Sequence, residues 1–294
     1  MAWTAEDIGN QHGRVFLVTG ANTGLGFETS LELAKQGAHL VLTGRDEERI
    51  ANAVVEIEAA VPWADVEAGI VDLGSLESVK EFAESFVSTH TRLDVLINNA
   101  GIMFPPPGKT VDGFESQFGV NYLGHFALTA RLFELLASTE NSRVVTVSSI
   151  LHQNGKIDFE NLKLEKPFDK VREYSQSKAA DLIFVLELQR KIIAAEFNVL
   201  SVGAHPGISK TELLRYDDPK LIEKMPHQSA NQGALPTLYA ATGDVEGGGY
   251  YGPDGDRERT GYPAPAMIAK YVKAPGIGAQ LWEYSERETG LPFL

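Results

Sequence analysis

The 294-residue chain contains no cysteine, and this absence excludes several kinds of chemistry. Disulfide bonds, thiolate nucleophiles and cysteine-ligated metal centres all require that residue. The sequence also lacks a run of about 18 apolar residues, the length that a helix needs to cross a bilayer. No basic segment followed by an apolar stretch opens the chain. We therefore expect no membrane span and a cytoplasmic location.

Positive charge is also scarce, with 26 Lys and Arg residues against 40 Asp and Glu residues and a net charge of -14. Binding to nucleic acid requires clustered Lys and Arg, so we expect no nucleic-acid partner. The seven histidines show no metal-ligand spacing, and we predict no metal site. No linker rich in Pro, Gly or Ser divides the chain, which favours a single domain over residues 1–294.

Short apolar runs alternate with longer segments of helical periodicity. Apolar strands separated by helices are typical of a parallel sheet covered on both faces, and right-handed crossovers then give a doubly wound α/β fold. After residue 207 the pattern loosens, and we expect residues 208–226 and 246–265 to be loops at the carboxyl edge of the sheet, where such folds bind ligands. We predict strands at 15–18, 40–42, 66–71, 95–97, 143–147 and 199–204, and helices at 24–36, 46–60, 75–89, 112–137 and 172–195.

A glycine-rich turn, Thr19 to Gly26, joins the first predicted strand to the first predicted helix. Gly20 permits a tight turn, Gly24 permits backbone to approach a pyrophosphate, and Gly26 permits close packing of helix on strand. The N–H groups at the start of the helix can then bind phosphate oxygens. Because the spacing is GxxxGxG and a plain loop has a similar composition, the strand–turn–helix context carries the prediction of a dinucleotide site.

The end of the second predicted strand bears on the choice of nucleotide. Sheets that bind NAD usually place a carboxylate there to accept from the ribose hydroxyls. This strand ends at Gly44-Arg45, and the guanidinium of Arg45 suits the 2′-phosphate of NADP. Arg45 could equally be a solvated surface residue, and Asp46 could serve NAD if it turned inward. We predict that NADP(H) is preferred and keep NAD(H) as the alternative.

Two further strand ends carry polar or small residues. Asp72 could accept a hydrogen bond from an adenine amino group while Leu73 packs against the ring. A capping role in the loop before residue 75 is equally open for Asp72. The run Asn98 to Gly101 would let a cofactor lie across the end of the fourth strand, although an ordinary Asn-rich turn has the same composition.

Tyr174 and Lys178 are four residues apart in a predicted helix and therefore share one helix face. A fixed ammonium favours the phenolate, so we expect Lys178 to lower the pKa of Tyr174. The spacing alone would also fit an exposed helix face. Its weight comes from its place in the chain, after the glycine-rich turn and the serine pair Ser148-Ser149.

Together these runs resemble the short-chain dehydrogenase/reductase family over roughly residues 13–211. The finer likeness is to its retinol-dehydrogenase-like branch and bacterial relatives, through the long insertion between Ser149 and Tyr174, His205-Pro206-Gly207 and residues 281–286. The family motifs occur in order as Thr19 to Gly26, Asp72-Leu73, Asn98 to Gly101, Asn121, Ser148-Ser149, Tyr174 to Lys178, and Pro206-Gly207 with Thr211.

The resemblance implies an oxidoreductase that transfers a hydride between a nicotinamide and the alcohol or carbonyl carbon of a small or lipophilic substrate. Tyr174 would be the general acid and base, and Ser149 would donate a hydrogen bond to the substrate oxygen. Lys178 would bind the nicotinamide ribose, and Asn121 would hold a water linked to Lys178, unless it is only a polar residue on a helix surface. The implied cofactor contacts are Gly20, Asn22, Thr23, Gly24, Leu25, Gly26, Arg45, Asp72, Leu73, Asn99, Ala100, Gly101, Tyr174, Lys178, Pro206, Gly207, Ile208 and Thr211.

Residues 208–230 form the predicted substrate-loop insertion, and their charge departs from the apolar lid expected for a lipid or retinoid enzyme. Five apolar residues could still form one face of this loop: Leu213, Leu214, Leu221, Ile222 and Met225. Its charged residues are Lys210, Glu212, Arg215, Asp217, Asp218, Lys220, Glu223 and Lys224.

The sequence also bears on the assembly of the protein and on alternative functions. The family resemblance implies a homodimer or tetramer formed through the helices 112–137 and 172–195. A non-catalytic dinucleotide-binding redox sensor is the alternative function, although such proteins tend to lose the Tyr or the Lys. An isomerase or dehydratase of the extended relatives is disfavoured, because the chain has no large sugar-nucleotide domain.

Overall fold

Eight strands form a single sheet in the computed structural model, which describes residues 2–216, 223 and 225–294. In chain order the strands are β1 (Val15–Thr19), β2 (His39–Gly44), β3 (Asp65–Ile70), β4 (Val95–Asn98), β5 (Ser142–Val147), β6 (Val199–Ala204), β7 (Tyr250–Pro253) and β8 (Pro263–Pro265). Their order in the sheet is β3-β2-β1-β4-β5-β6-β7-β8, and all neighbours pair in parallel except β7 and β8. The predicted doubly wound α/β fold is confirmed.

Helices cover both faces of the sheet, and side-chain caps fix where several of them begin. Asp46, Ser75, Asp169 and Ser229 each accept a hydrogen bond from a backbone N–H in the first turn of a helix. In the described part of the chain, no helix is both long enough and apolar enough to pass through a membrane. The helices are α1 (Gly24–Lys35), α2 (Glu47–Ala60), α3 (Leu76–Thr89), α4 (Gly124–Ser138), α5 (Lys170–Ala194), α6 (Ala230–Thr242) and α7 (Ile277–Thr289).

The alternating side chains of the strands divide the core into two apolar clusters. Leu17 of β1 points to the cluster that contains residues of α3, α4, α5 and α7. Its neighbours Phe16 and Val18 point to the other face and pack with residues of α1, α2 and α6. Because both faces are buried, the central strands are apolar throughout, which is the pattern that the sequence displayed.

The region 246–265 was expected to be loop, and that prediction is wrong for the two strands that the region contains. It contains β7, which pairs with β6, and β8, which forms the antiparallel edge. The glycine and prolines of these strands obscured them, since Pro is depleted in strands and is tolerated mainly at sheet edges. Tyr250 and Tyr251 are nevertheless buried and anchor this edge.

The predicted helix at 112–137 contains a change of helical type. A short α-helical turn at Ser116–Phe118 leads into a π-helical turn at Gly119–Leu123, and α4 follows without a break. Single π turns inside α-helices occur often at functional sites. Asn121 lies in this turn, beside the carboxyl end of the sheet.

Helix α7 covers part of the two long helices that were expected to mediate oligomerisation. The Trp282 ring lies 5.2 Å from the Phe126 ring of α4 and 5.9 Å from the Phe184 ring of α5. Phe293 also packs on Phe126, at 5.4 Å. Aromatic pairs at these separations bury a large apolar area. Any contact between copies of the chain through α4 and α5 must therefore use the surface that α7 leaves uncovered.

Candidate active site

A cavity of about 730 Å³ opens at the carboxyl edge of the sheet, at the ends of β1, β2, β4, β5 and β6. This volume lies in the usual range for sites that hold a small molecule or cofactor. Every residue that the sequence analysis assigned to catalysis or cofactor binding lines this cavity, except Asn121. The residues come from segments spread over the first 211 positions, so the fold is what brings them together.

The glycine-rich turn forms one end of the cavity with tight backbone packing. Gly20 has a φ of +66°, which glycine adopts without strain. A Cβ on Gly26 would lie 2.3 Å from the Gly20 carbonyl oxygen, so a larger residue would push α1 away from the turn. The Thr23 side chain does not cap α1. The N–H groups of the first helical turn therefore lack a side-chain partner and fit the phosphates of a dinucleotide.

Basic side chains surround the end of β2. Arg45 is exposed on the cavity wall, directly after Gly44. Asp46 Oδ1 accepts from the Arg49 N–H at 3.1 Å, so this carboxylate is engaged in capping α2. Arg49 also lines the cavity and pairs with Glu212 at 2.6 Å. Arg49 was not predicted from the sequence, although the position of Arg49 four residues after Arg45 was a usable signal.

Asp72 and Asn99 shape the cavity floor while also holding the backbone. Asp72 Oδ1 accepts from the Gly74 N–H at 2.8 Å, and the cap of α3 is Ser75. Asn99 Nδ2 donates to the Thr19 carbonyl at 2.7 Å, which ties the ends of β1 and β4 together. Asp72 therefore does not cap α3, the alternative left open for it, and both residues combine a backbone contact with a place on the cavity wall.

Ser149, Tyr174 and Lys178 converge in the middle of the cavity. The Ser149 hydroxyl lies close enough to the Tyr174 phenol to lower the pKa of that phenol. The Lys178 Nζ lies 5.9 Å from the centre of the Tyr174 ring, one helical turn along α5. The Ser148 hydroxyl donates to the Lys178 carbonyl at 2.7 Å and is buried. Ser149 is therefore the serine of the pair whose hydroxyl can reach a substrate oxygen.

The net pKa of Tyr174 is raised, although Lys178 acts in the expected direction and lowers it. Burial is the largest influence and raises the pKa, because a buried phenolate loses its hydration. Lys178 and the nearby Ser149 hydroxyl lower the pKa of Tyr174, but they do not overcome burial, and Asp181 raises it further. Tyr174 is therefore a protonated phenol at neutral pH and is ready to donate its proton.

Lys178 has a buried carboxylate partner that the sequence analysis missed. Its Nζ donates to Asp181 Oδ2 at 2.8 Å and to the Val147 carbonyl at 2.9 Å. Burial lowers the pKa of Lys178, but the charges of Asp181 and Tyr174 raise it more, and the net shift is upward. Burial also raises the pKa of Asp181 to about 6, against the opposing effect of Lys178. The i, i+3 spacing of Lys178 and Asp181 was the signal that could have revealed the pair.

Asn121 lies behind the cavity wall instead of on it. Its Oδ1 accepts from the Ile102 N–H at 2.8 Å, and its Nδ2 donates to the Ile102 carbonyl at 3.0 Å and to Ser177 Oγ at 2.9 Å. The side-chain amide is thus occupied in fixing the loop after β4. The main-chain carbonyl of Asn121 accepts a hydrogen bond from His125 Nδ1 at 2.7 Å. Burial lowers the pKa of His125 to about 3, so this histidine is neutral.

Another buried histidine holds the backbone of Ser149. His152 Nδ1 lies 2.7 Å from the Ser149 carbonyl, and His152 Nε2 accepts from the Ala269 N–H at 3.2 Å. These two bonds define one neutral tautomer, with the proton on Nδ1. Burial lowers the pKa of His152, which maintains that state. The ring therefore ties the segment after β5 to the chain beyond β8.

The turn after β6 is held by remote backbone. Gly207 has a φ of +61°, and a Cβ there would lie 2.2 Å from the Arg259 carbonyl oxygen. The same carbonyl accepts from the Ile208 N–H at 2.8 Å, so this donor is already engaged. Thr211 lines the cavity with its hydroxyl 3.3 Å from the Leu213 N–H. Of the Ile208 N–H and the Thr211 hydroxyl, only the Thr211 hydroxyl therefore retains a proton to donate to a cofactor.

An apolar wall closes the other end of the cavity. Part of the charged loop contributes to it, because Leu213, Leu214 and Met225 line the cavity while Lys210 is exposed. Further apolar side chains on this wall are Met103, Phe104, Ile150, Leu151 and Val171. Six loop residues named in the sequence analysis lie outside the described residues: Asp217, Asp218, Lys220, Leu221, Ile222 and Lys224.

Comparison with known proteins identifies the family. The profile described as short chain dehydrogenase matches residues 14–221. The chain belongs to the short-chain dehydrogenase family. Retinol dehydrogenase 13 of Mus musculus is 37% identical over 300 residues, covering 95% of this chain and 84% of the relative. Retinol dehydrogenase 11 of Homo sapiens is 43% identical over 204 residues, covering 69% of this chain and 64% of the relative. The predicted likeness to the retinol-dehydrogenase-like branch is confirmed.

Solved structures agree with this assignment. A crystal structure of an uncharacterized protein from Mycobacterium paratuberculosis superposes with a TM-score of 0.85 at 38% identity, over 100% of both chains. A short chain dehydrogenase from Burkholderia cenocepacia, crystallised with NADP, has a TM-score of 0.67 at 23% identity over 82% of this chain and 96% of its own. The second likeness shows the common fold. As a member of this family the protein is an oxidoreductase that uses a nicotinamide dinucleotide.

Proposed function

We propose that this short-chain dehydrogenase transfers a hydride between NADP(H) and the carbonyl or alcohol carbon of a lipophilic substrate. The observation that carries the proposal is the convergence of Ser149, Tyr174 and Lys178 in the cavity at the carboxyl edge of the sheet. A bound nicotinamide supplies the hydride in the reductive direction and accepts it in the oxidative direction. The protein must position both reactants and move one proton.

Tyr174 is the group that moves this proton. Its raised pKa keeps the phenol protonated at neutral pH, which suits it to act as general acid towards a developing alkoxide. The Ser149 hydroxyl lies beside the phenol and would donate to the same substrate oxygen, stabilising its charge. In oxidation Tyr174 would act as the base. The ammonium of Lys178, kept charged by Asp181, would then favour the phenolate.

Arg45 and Arg49 support the choice of NADP(H) over NAD(H). Both line the cavity near the end of β2, where Gly44 offers no carboxylate to a ribose. Guanidinium groups bind phosphate oxygens through paired, charge-assisted hydrogen bonds. Asp46, the acidic residue that could have favoured NAD, is engaged as the cap of α2. A 2′-phosphate would therefore meet positive charge here.

The apolar wall supports a lipophilic substrate. Phe104 packs edge-on against Tyr174 at 5.5 Å between ring centres, so apolar surface begins next to the reacting group. Leu213, Leu214 and Met225 extend that surface. Relatives named retinol dehydrogenases are consistent with an alcohol or aldehyde at the end of an apolar chain. Binding an apolar substrate against such a wall is favourable because it removes apolar surface from water.

A substrate and cofactor screen tests this proposal. NADPH and NADH absorbance would be followed with aldehydes of increasing chain length, with all-trans-retinal and with short polar ketones. We expect turnover with NADPH, kcat/KM rising with apolar chain length, and a preference for NADPH over NADH. A preference for NADH would overturn the cofactor assignment. Tight NADPH binding without turnover of any carbonyl would favour the non-catalytic redox sensor.

Assembly and location extend the proposal. Homodimers or tetramers, which the family resemblance implies, would use the parts of α4 and α5 that α7 leaves open. Light scattering coupled to size-exclusion chromatography distinguishes a 32.0 kDa monomer from its multiples. The cytoplasmic location remains a prediction, and fractionation of cells that express the full chain would test it.

A further inference from the structure

Three possible metal ligands meet at the amino edge of the sheet, opposite the active-site cavity. His39 begins β2, Glu67 lies in the adjacent strand β3, and His90 is the residue that caps the carboxyl end of α3. Each offers one ligand atom, and these atoms all lie within 4.8 Å of one another. The residues are 28 and 23 positions apart, so no local spacing in the sequence could indicate the cluster.

The contact of His39 with Asp65 determines which ring nitrogen of His39 carries a proton. His39 Nδ1 lies 2.8 Å from Asp65 Oδ2. An ionised carboxylate can only accept a hydrogen bond, so Nδ1 must carry a proton. In the neutral ring, Nε2 then has a bare lone pair. That atom lies 2.7 Å from Glu67 Oε1.

The His90 ring is constrained in the same way. The Thr89 hydroxyl can donate to the Ser85 carbonyl at 3.1 Å, which leaves it free to accept from His90 Nδ1 at 2.9 Å. The same Nδ1 also lies 3.2 Å from the Phe86 carbonyl. Stacking on the Phe86 ring, with centres 4.1 Å apart, holds the plane of the imidazole. In the neutral ring the lone pair is then on Nε2, which lies 2.7 Å from Glu67 Oε1.

With both rings neutral, two imidazole lone pairs and a carboxylate oxygen would face one another at 2.7 Å, an arrangement that a cation between them would stabilise. We propose that these three atoms form a binding site for a divalent transition metal of the zinc class. Imidazole nitrogen with carboxylate oxygen is a donor set that Zn²⁺ prefers, and its remaining position would be open to water. Carboxylate and carbonyl partners on the non-ligating nitrogens are the usual support of metal-binding histidines.

Coordination would require the ligand atoms, which now lie within 4.8 Å of one another, to adjust their separations. Tetrahedral coordination at the usual Zn–N and Zn–O lengths separates the ligand atoms by about 3.3 Å. The Glu67 oxygen now lies 2.7 Å from each ring nitrogen. Its side chain is 45% exposed and can withdraw, whereas the His90 side chain is 13% exposed and held by stacking. A bound ion would then tie β2, β3 and α3 together.

A proton is the competing occupant of this site. The hydrogen bonds to Asp65 and Glu67 raise the pKa of His39 despite burial, which lowers it. Without metal, the protonated ring contributes stability at low pH, and this contribution is lost as the pH rises through the pKa of His39. The facing groups are Asp65 and Glu67 on β3 and His90 at the end of α3. Metal and proton compete for the same ligand atoms, so metal binding should weaken as the pH is lowered.

The test is titration of the purified, chelator-treated full chain with Zn²⁺, and with Co²⁺ as a spectroscopic probe. We expect one ion per chain, Co²⁺ absorption typical of nitrogen and oxygen ligands, and a Tm that rises with Zn²⁺ concentration by about 5 °C at a hundredfold excess over Kd. This rise should shrink at acid pH, because protons compete with the metal for the ligand atoms.

Matched variants separate this site from adventitious binding. His90→Gln and Glu67→Gln should each abolish the stoichiometric ion and the rise in Tm, whereas Asp65→Asn should weaken binding about tenfold by removing support from His39. His12→Gln removes an exposed histidine near the same edge and should change neither. The proposal is overturned if no saturable binding occurs, or if His90→Gln and Glu67→Gln bind the ion as the unmodified chain does. Either result leaves the cluster as a group held together by protons.

Discussion

The two ends of the active-site cavity are built in different ways. The nucleotide end is made by short runs at strand ends, such as Thr19 to Gly26 and Asn98 to Gly101, whose geometry follows from local backbone. The substrate end is made by the segment after β5 and the loop after β6. Hydrogen bonds to residues that are distant in the sequence, Ala269 and Arg259, hold these two segments in place. Local motifs can therefore be recognised in the sequence, while the shape of the substrate end depends on the completed fold.

Among the variants that compare the two ends of the cavity, the largest effect is expected at their junction, where Ser149 lies near Tyr174. Ser149→Ala should lower kcat by about 100-fold or more, because it removes a hydrogen-bond donor aimed at the developing charge. NADPH affinity should stay nearly constant. Steady-state kinetics and fluorescence titration of NADPH measure the two quantities. Ser148→Ala is the matched control and should cost less, and equal losses would remove the distinction between the two serines.

At the nucleotide end, Arg45→Ala should reduce kcat/KM with NADPH by about tenfold, equivalent to ~1.4 kcal/mol, and leave kcat/KM with NADH nearly unchanged. The reason is the loss of a cation beside the proposed 2′-phosphate. Arg49→Ala should have a smaller effect, since Arg49 is already paired with Glu212. Parallel losses with both dinucleotides would show that Arg45 does not read the 2′-phosphate.

At the substrate end, Leu213→Ala should raise KM for a long-chain aldehyde by about threefold to tenfold, because several methylene contacts are lost. A short aldehyde and NADPH should show little change. The comparison of long and short substrates in one variant supplies its own control. A uniform change for every substrate would mean that Leu213 acts on the cofactor or on the fold.

Asp181→Asn should produce the smallest effect, a displaced pH profile. Asp181 raises the pKa of Tyr174, so removing its charge should move the rise of the oxidation rate to lower pH. Lys178 would also act on the phenol without a neutralising partner. The measurement is kcat for alcohol oxidation across the pH range, with cofactor affinity followed in parallel. An unmoved profile would show that Asp181 only anchors Lys178.

The fold and many residues that line the cavity could be predicted from the sequence, because they depend on local patterns. The alternation of apolar runs with helical segments predicted the sheet core. Gly20 has a positive φ, and Gly26 has no room for a Cβ, so both positions favour glycine. Prediction from the sequence failed at β7 and β8, where glycine and proline resemble loop, and at the pKa of Tyr174, where burial exceeds the effect of Lys178. Burial is a property of the assembled core, and no spacing in the sequence reports it.

The catalytic role of Tyr174 is the central claim, and Tyr174→Phe tests it most directly. Turnover and NADPH binding would be measured on the same preparation. The account predicts a loss of turnover of about 1,000-fold or more, with NADPH affinity within about twofold, because only the proton donor is removed. A variant that still reduces the preferred aldehyde at close to the unmodified rate would contradict the account.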